Sequence, residues 1–135
     1  MGADASWPLE RAILSALRDS ERIRALLGGS GGVVSGVQSA DTPVICYAAA
    51  TARAWHSATF DGQDHEITLL LRTTPQDAEI GALAAAVTGR LHDADLPIPG
   101  HALIELQFER SETRSFDEDG IASCRLLFRA LTVED

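Results

Sequence analysis

Four histidines are the residues of this chain best suited to metal binding or proton transfer. They are His56, His65, His92 and His101. No two of them stand at the H-E-x-x-H spacing that places two zinc ligands on one helix face. His92 opens the segment His92-Asp93-Ala94-Asp95 at the predicted end of a helix, where a polar or cationic residue is common. We therefore expect no metal site and no catalytic histidine.

Gly28 to Gly32 matches the nucleophile-elbow pattern G-x-S-x-G letter for letter. That elbow needs its serine on a turn from a strand into a helix, whereas this segment follows a predicted helix and precedes a predicted strand. The chain contains no lysine, so its 11 cationic side chains are all arginine, which excludes a P-loop or Schiff-base lysine. The glycine run predicts a flexible connector.

The carboxylates also lack the arrangement of a reactive site. Glu105 and Glu109 point outward from a predicted strand and have no partner base, so a glycosidase-like pair is not indicated. Asp117 to Gly120 lacks the spaced ligands of a calcium loop and is typical of a solvated turn. We predict that the protein is not an enzyme and has no catalytic residues, cofactor or metal.

The composition predicts one acidic domain spanning residues 1–135. A net charge of −9 argues against binding to nucleic acid phosphates or to an anionic membrane. No apolar run is long enough to cross a bilayer, and the first six residues do not form a signal peptide. Cys46 and Cys124 each lie in an apolar run, which favours buried free thiols over a disulfide.

The stretch from Asp64 to Leu96 predicts a strand, a sharp turn and a helix. His65, Ile67, Leu69 and Leu71 alternate with more polar residues, as on the buried face of a strand. Thr73-Thr74-Pro75-Gln76-Asp77 follows, with a threonine cap, Pro75 at the first helical position, and the amide and acidic side chains of Gln76 and Asp77 in the first turn. Further on, the period changes to helical spacing at Ile80, Leu83, Val87 and Leu91.

The other elements complete an α+β pattern. We predict a helix from Ser6, a short helical segment after Ser20, and a short strand that includes Val33, Val34 and Val37. Further strands are predicted at Val44–Thr51, Ala102–Arg110 and Ile121–Thr132, with a connection at Arg53–Gln63 and a polar tongue at Ser111–Asp119. In the Ala102–Arg110 strand, Ile104, Leu106 and Phe108 are expected to face inward. The expected fold is a two-layer sandwich in which two helices pack on one face of a mainly antiparallel sheet, in the order α-β-β-β-α-β-β.

Several of these features, in this order, resemble one known family. They are the helix end at Leu26-Leu27-Gly28, the strand entry Thr42–Ile45, the acidic approach Asp61–Glu66, the alanine-rich helix ending at Leu91-His92, the link Leu96–Gly100, the strand Leu103–Glu109, and the turn and strand Asp117–Ala130. The combination resembles the tail-terminator, or tail-completion, proteins of long-tailed phages and phage-like gene transfer agents. The similarity extends from about Leu9 to Leu131.

The resemblance implies a structural virion protein at the neck, or top of the tail, assembled in the host cytoplasm. It implies a homo-oligomeric ring, a hexamer, that caps the tail tube, stops its polymerisation and joins the tail to the head-side connector or stopper. Its partners would be the major tail-tube protein and that connector, with DNA passing through the lumen without sequence-specific binding. The alternatives are another neck component, such as a stopper or head-closure protein, and a small cytosolic ligand-binding domain or enzyme.

Two polar or aromatic segments are the predicted interface of such a ring. Their residues are Trp55, His56, Phe60, Asp61, Asp64, Arg114, Phe116, Asp117 and Asp119. A closed ring needs two different complementary patches on every subunit, and unpaired strand edges and aromatic-bearing loops are natural candidates. The alternative is that these side chains pack against the sheet of their own subunit.

Overall fold

The computed structural model describes residues 4–29, 32–37, 41–56 and 58–135. The helices are α1 (Ser6–Asp19), α2 (Glu21–Leu27) and α3 (Ile80–Leu91). The strands are β1 (Val33–Ser35), β2 (Val44–His56), β3 (Asp61–Thr73), β4 (His101–Arg114) and β5 (Ala122–Glu134). The predicted α+β class is confirmed, and the short segment after Ser20 is a helix in its own right.

The strands form one sheet in the order β1-β2-β3-β5-β4. β1 lies parallel to β2, and the remaining neighbours are antiparallel. β3, α3 and β4 form a crossover in which β4 lies one strand beyond β3, because β5 occupies the place between them. The order places β1 and β4 at the edges, and the helices cover one face, here called the inner face.

The core lies between the helices and the inner face of the sheet. The buried strand residues include Ile67, Leu69 and Leu71 on β3, and Cys124, Leu126, Phe128 and Ala130 on β5. Leu83, Val87 and Leu91 of α3 pack against them. These are the faces that the alternation and helical spacing predicted. Cys46 and Cys124 are buried free thiols.

The predicted start of α3 is wrong. Residues from Thr74 to Asp77 form a closed turn instead, in which the Asp77 carboxylate accepts the Thr74 backbone N–H at 2.7 Å and its hydroxyl at 3.0 Å. Glu79 precedes the helix with a ψ of 134°, and no side chain caps the first turn. The aspartate that looked like a first-turn residue therefore stabilises the turn before the helix.

The predicted connection at Arg53–Gln63 and the predicted tongue at Ser111–Asp119 are both shorter than expected. β2 continues to His56 and pairs with β3 from Asp61 onward, so the connection shrinks to residues 57–60. β4 continues to Arg114, which pairs with Ser123. Cross-strand hydrogen bonding extends both hairpins into segments rich in alanine or polar residues. Such residues have low strand propensity, so the pattern of a single strand does not predict the extension.

The strand alternation also fails at one inward residue. Ile104 was predicted to face the core, but its side chain is 52% exposed. A register shift between Leu103 and Glu105 inserts one extra residue into β4 against β5, and a bulge of this kind redirects the side chain it carries. Leu106 is buried and Phe108 half-buried, as predicted.

The glycine run is described in part. Gly28 has a φ of +77° and ends α2, and its backbone N–H bonds to the Arg24 carbonyl oxygen. Glycine suits this left-handed C-terminal position because it has no Cβ to clash. Residues 30 and 31 of the predicted connector lie outside the described residues.

Candidate assembly surface

The histidines with described side chains make structural contacts. His92 Nδ1 accepts the Phe108 backbone N–H at 3.0 Å, and the next residue, Asp93, donates its N–H to the Leu106 carbonyl oxygen at 2.8 Å. His101 Nδ1 lies 3.2 Å from the Pro99 carbonyl oxygen. Within the described ranges, no group of three His, Cys, Asp or Glu side chains could hold a metal ion.

His65 is buried in the inner layer of the sheet. Its Nε2 lies 3.0 Å from the Thr132 hydroxyl on β5, and the side chain is 1% exposed. Burial lowers the pKa of His65, although the carboxylates of Asp4 and Asp64 act in the opposite direction. The imidazole is therefore a neutral packing residue.

An ionic cluster occupies the outer face of the sheet, on the side away from the helices. Asp64 on β3 receives Arg129 of β5 bidentately, with Nε to Oδ1 at 2.9 Å and Nη2 to Oδ2 at 2.6 Å. Arg53 of β2 reaches the same Oδ2 at 3.1 and 3.3 Å. The hydrogen bond from Arg129 is the main reason that the pKa of Asp64 is lowered, with Arg53 contributing against the cost of burial.

This cluster determines the partner of Arg129. The residue directly opposite Arg129 is Glu66, whereas its ion-pair partner, Asp64, is diagonal to it. Asp64 is also one of the predicted interface residues, and within its own chain it lies between Arg53 and Arg129.

The first group of predicted interface residues lies at the end of the β2–β3 hairpin. The rings of Trp55 and Phe60 are 5.0 Å apart between centroids and tilted at 58°, and both side chains are half-buried. Asp61 is exposed beside them. His56 is the last residue of β2, and its side chain lies outside the described residues. The aromatic pair thus stabilises the hairpin while keeping part of its surface accessible.

The second group lies at the opposite end of the sheet, where β4 turns into β5. Arg114 ends β4, and Phe116 follows with 55% of its side chain exposed. Asp117 Oδ1 accepts the backbone N–H groups of Asp119 and Ile121 at 2.8 and 3.0 Å, which closes the turn. The structure therefore separates the predicted residues into two surfaces, one at each end of the strands.

A shallow groove that the sequence did not reveal lies beside β2. It has a volume of about 390 Å³, and its lining includes Trp7 of α1, Gly36 after β1, and Ala48 to Ala50 of β2. Trp7, at the start of α1, is 67% exposed although it is a large apolar residue. Small side chains on β2 and a bulge near Ala48 make room for the groove.

No helix in the described part of the chain is long and apolar enough to cross a membrane.

Comparison with known proteins yields a family and a structural relative. The model of the family described as "Tail completion protein gp17" matches residues 11–133. A chain of a solved structure described as "Virion of native gene transfer agent (GTA) particle" superposes with a TM-score of 0.83 at 25% identity, and the match covers 97% of this chain and 98% of that one. A search of curated proteins found no match.

Proposed function

Because the chain belongs to the tail completion protein gp17 family, we propose that it forms a ring that caps the tail tube and stops its polymerisation. Membership makes the protein a structural component of a virion tail, which works in contact with other tail proteins. The ring is proposed to be a hexamer at the neck, between the tail tube and the head-side connector.

The observation that carries this proposal is the family match over nearly the whole chain, together with the close fold similarity to a chain of a gene transfer agent particle. The separation of the two candidate surfaces supports it. Trp55, Phe60 and Asp61 lie at one end of the strands and Arg114 to Asp119 at the other. Two distinct surfaces are what a head-to-tail ring requires.

We further propose that the ring contacts the major tail-tube protein on one side and the connector or stopper on the other. DNA would pass through its lumen without sequence-specific contacts. The net charge of −9 supports such passage, because a surplus of carboxylates repels phosphates. His56, Asp64, Asp117 and Asp119 remain proposed members of the contact surfaces alongside the residues above.

The test is to image particles made without this protein, with the protein supplied in trans as the control. Tails of irregular, extended length or tubes left unjoined to heads are the expected result. Tails of normal length joined to heads would overturn the proposal. Tails of normal length that fail to join heads would instead identify a head-closure or stopper role.

A further inference from the structure

One segment of β2 and one segment of β4 lie at the edges of the sheet without a neighbouring strand on their outer side. The helices do not cover the inner face of either segment. On β2, described pairing with β1 ends at Tyr47, and the residues from Ala49 to Ala54 are exposed. On β4, the residues from Arg110 to Arg114 are exposed on both faces. Both segments are ordered through pairing on their other side, so each presents a preformed row of backbone donors and acceptors.

The rest of the β4 edge is blocked. His92 and Asp93 already occupy the backbone groups of Phe108 and Leu106, and bulges interrupt the strand near Ile104 and Glu109. Covering loops and bulges are two of the devices that prevent edge pairing, and charged side chains are another. The segment from Arg110 to Arg114 lies beyond the loop and the bulges, and its charged residues, Arg110, Glu112 and Arg114, restrict pairing to an edge of complementary charge.

The strand directions of the two open segments allow them to pair between copies. Within one chain β4 runs antiparallel to β2. If neighbouring copies are related by rotation about an axis along the strands, β4 of one copy is also antiparallel to β2 of the next. The segments lie at diagonally opposite corners of the sheet, so joining them staggers each copy against the next. A closed sheet requires such a stagger.

One register brings complementary side chains together. Aligning Glu112 with Arg53 of the next copy also places Arg110 opposite that copy's Trp55. Arg53 is 76% exposed beyond its contact with Asp64, and Glu112 is also exposed, with a long 3.9 Å contact to Arg110. The carboxylate of Glu112 could therefore form an ion pair with the exposed side of Arg53, and an arginine beside an indole ring gains a cation–π contact.

The same register fits on the inner face and beyond the strand end. It places Ser111 opposite Ala54 of the next copy, so no bulky side chain obstructs the approach of the two backbones. Phe116 lies two residues beyond the end of β4 at Arg114, so the same alignment brings its exposed ring to the end of β2 in the next copy that carries the groove beside Trp7. The exposed ring on one corner thus lies near a shallow groove on the other, in which Trp7 and the alanines of β2 offer apolar surface beside the polar Glu10 and Ser35.

From this complementarity we infer that β4 of one copy adds, through Arg110–Arg114, to the open edge of β2 in the next copy, Thr51–Trp55. The contact is head-to-tail, and Phe116 fills the groove beside Trp7. The inference rests on the proposed ring and names the surfaces that close it. Each of the two edges is then covered by a neighbouring copy of the same chain.

Disulfide trapping tests the register in assembled particles. Opposed residues of an antiparallel pair have Cα atoms about 4.5–5.5 Å apart, within reach of a disulfide. Particles carrying Ser111→Cys and Ala54→Cys in one chain should give, after mild oxidation, a ladder of covalent oligomers up to the ring size. Each single variant should give no dimer, and neither should Ser111→Cys paired with Ala25→Cys on the exposed face of α2. The native Cys46 and Cys124 are buried and provide no competing partner.

A charge reversal supplies an independent measurement if the cysteine variants do not assemble. Glu112→Arg should lower incorporation into particles about fivefold, because like charges directly opposite each other across two strands are destabilising, while the purified chain keeps its circular dichroism spectrum. Asp95→Arg, in the exposed link after α3 and outside both proposed contact surfaces, should incorporate normally. Equal incorporation of the two variants would overturn the inference, as would assembled double-cysteine rings without a ladder. Either result would leave the capping role intact, since particle morphology tests that role separately.

Discussion

Arg129 and Asp64 lie diagonally across β5 and β3, and the guanidinium binds both carboxylate oxygens, at 2.9 and 2.6 Å. Asp64 is 7% exposed on the face of the sheet that lacks helices. A carboxylate can be buried there because Arg129 and Arg53 supply the hydrogen bonds that water would otherwise provide. The cluster ties β2, β3 and β5 together near the end of the sheet.

Asp64→Asn should lower the free energy of unfolding by about 2 kcal/mol, because hydrogen bonds to charged partners contribute roughly 1.5–3 kcal/mol. Urea denaturation at neutral pH measures the loss, and Asp95→Asn in the exposed link after α3 is the matched control. The folded pKa of Asp64 lies below its ordinary value, so its contribution is present above that value and is lost as pH falls through the lowered pKa. If wild type and Asp64→Asn differed in free energy of unfolding by the same amount in strong acid as at neutral pH, this explanation would be wrong.

His65 should make the protein less stable in mild acid. Because burial lowers its folded pKa, the unfolded chain binds the proton more readily, so stability falls as pH drops from about 6.5 toward the lowered pKa. His65→Gln retains a polar group near Thr132 but cannot titrate. The difference in unfolding free energy between wild type and variant should therefore shift with pH between 8 and 5 in the variant's favour. A pH-independent difference would mean that the imidazole does not titrate in this way.

Gly62→Ala should destabilise the β2–β3 hairpin by about 1–3 kcal/mol, the usual cost of overpacking. An added Cβ would lie 2.5 Å from the Trp55 carbonyl oxygen and 2.8 Å from that of Thr132, both on paired strands that cannot withdraw. Gly81→Ala is the control, because its Cβ would meet a flexible glutamate oxygen at 3.6 Å. The control should gain about 0.5–1 kcal/mol through helix propensity. Thermal unfolding of both variants gives the comparison, and equal shifts would refute it.

Alanine substitutions at Phe116 and Phe128 should have different effects, the first on assembly into particles and the second on the stability of the subunit. Phe116→Ala removes an exposed ring and should change the unfolding free energy by no more than about 0.5 kcal/mol, while incorporation into particles falls. Phe128→Ala removes a ring that is 2% exposed and packed edge-on against Phe108, and should cost about 3–5 kcal/mol. Denaturation and quantification in purified particles are the two measurements. Normal incorporation of Phe116→Ala would remove this ring from the assembly surface.

The core faces could be predicted because burial imposes a period on the sequence. Ile67, Leu69 and Leu71 repeat every second residue, and Leu83, Val87 and Leu91 follow helical spacing, so their buried sides were apparent without coordinates. Ile104 is an exception to the alternation because it lies at a β-bulge. The position of a bulge depends on how two strands align, and it cannot be predicted from the sequence of one strand.

The sequence by itself determined the fold class, the buried faces and, through the order of its motifs, the family. Tertiary structure decided how far β2 and β4 extend, which carboxylate Arg129 binds, and where the sheet remains open at its edges. These properties arise from pairing between segments far apart in the chain: Asp64 and Arg129 are 65 residues apart, and no local pattern connects them. Local periodicity predicts whether a side chain faces the core or solvent, whereas the register between strands determines which side chain it contacts.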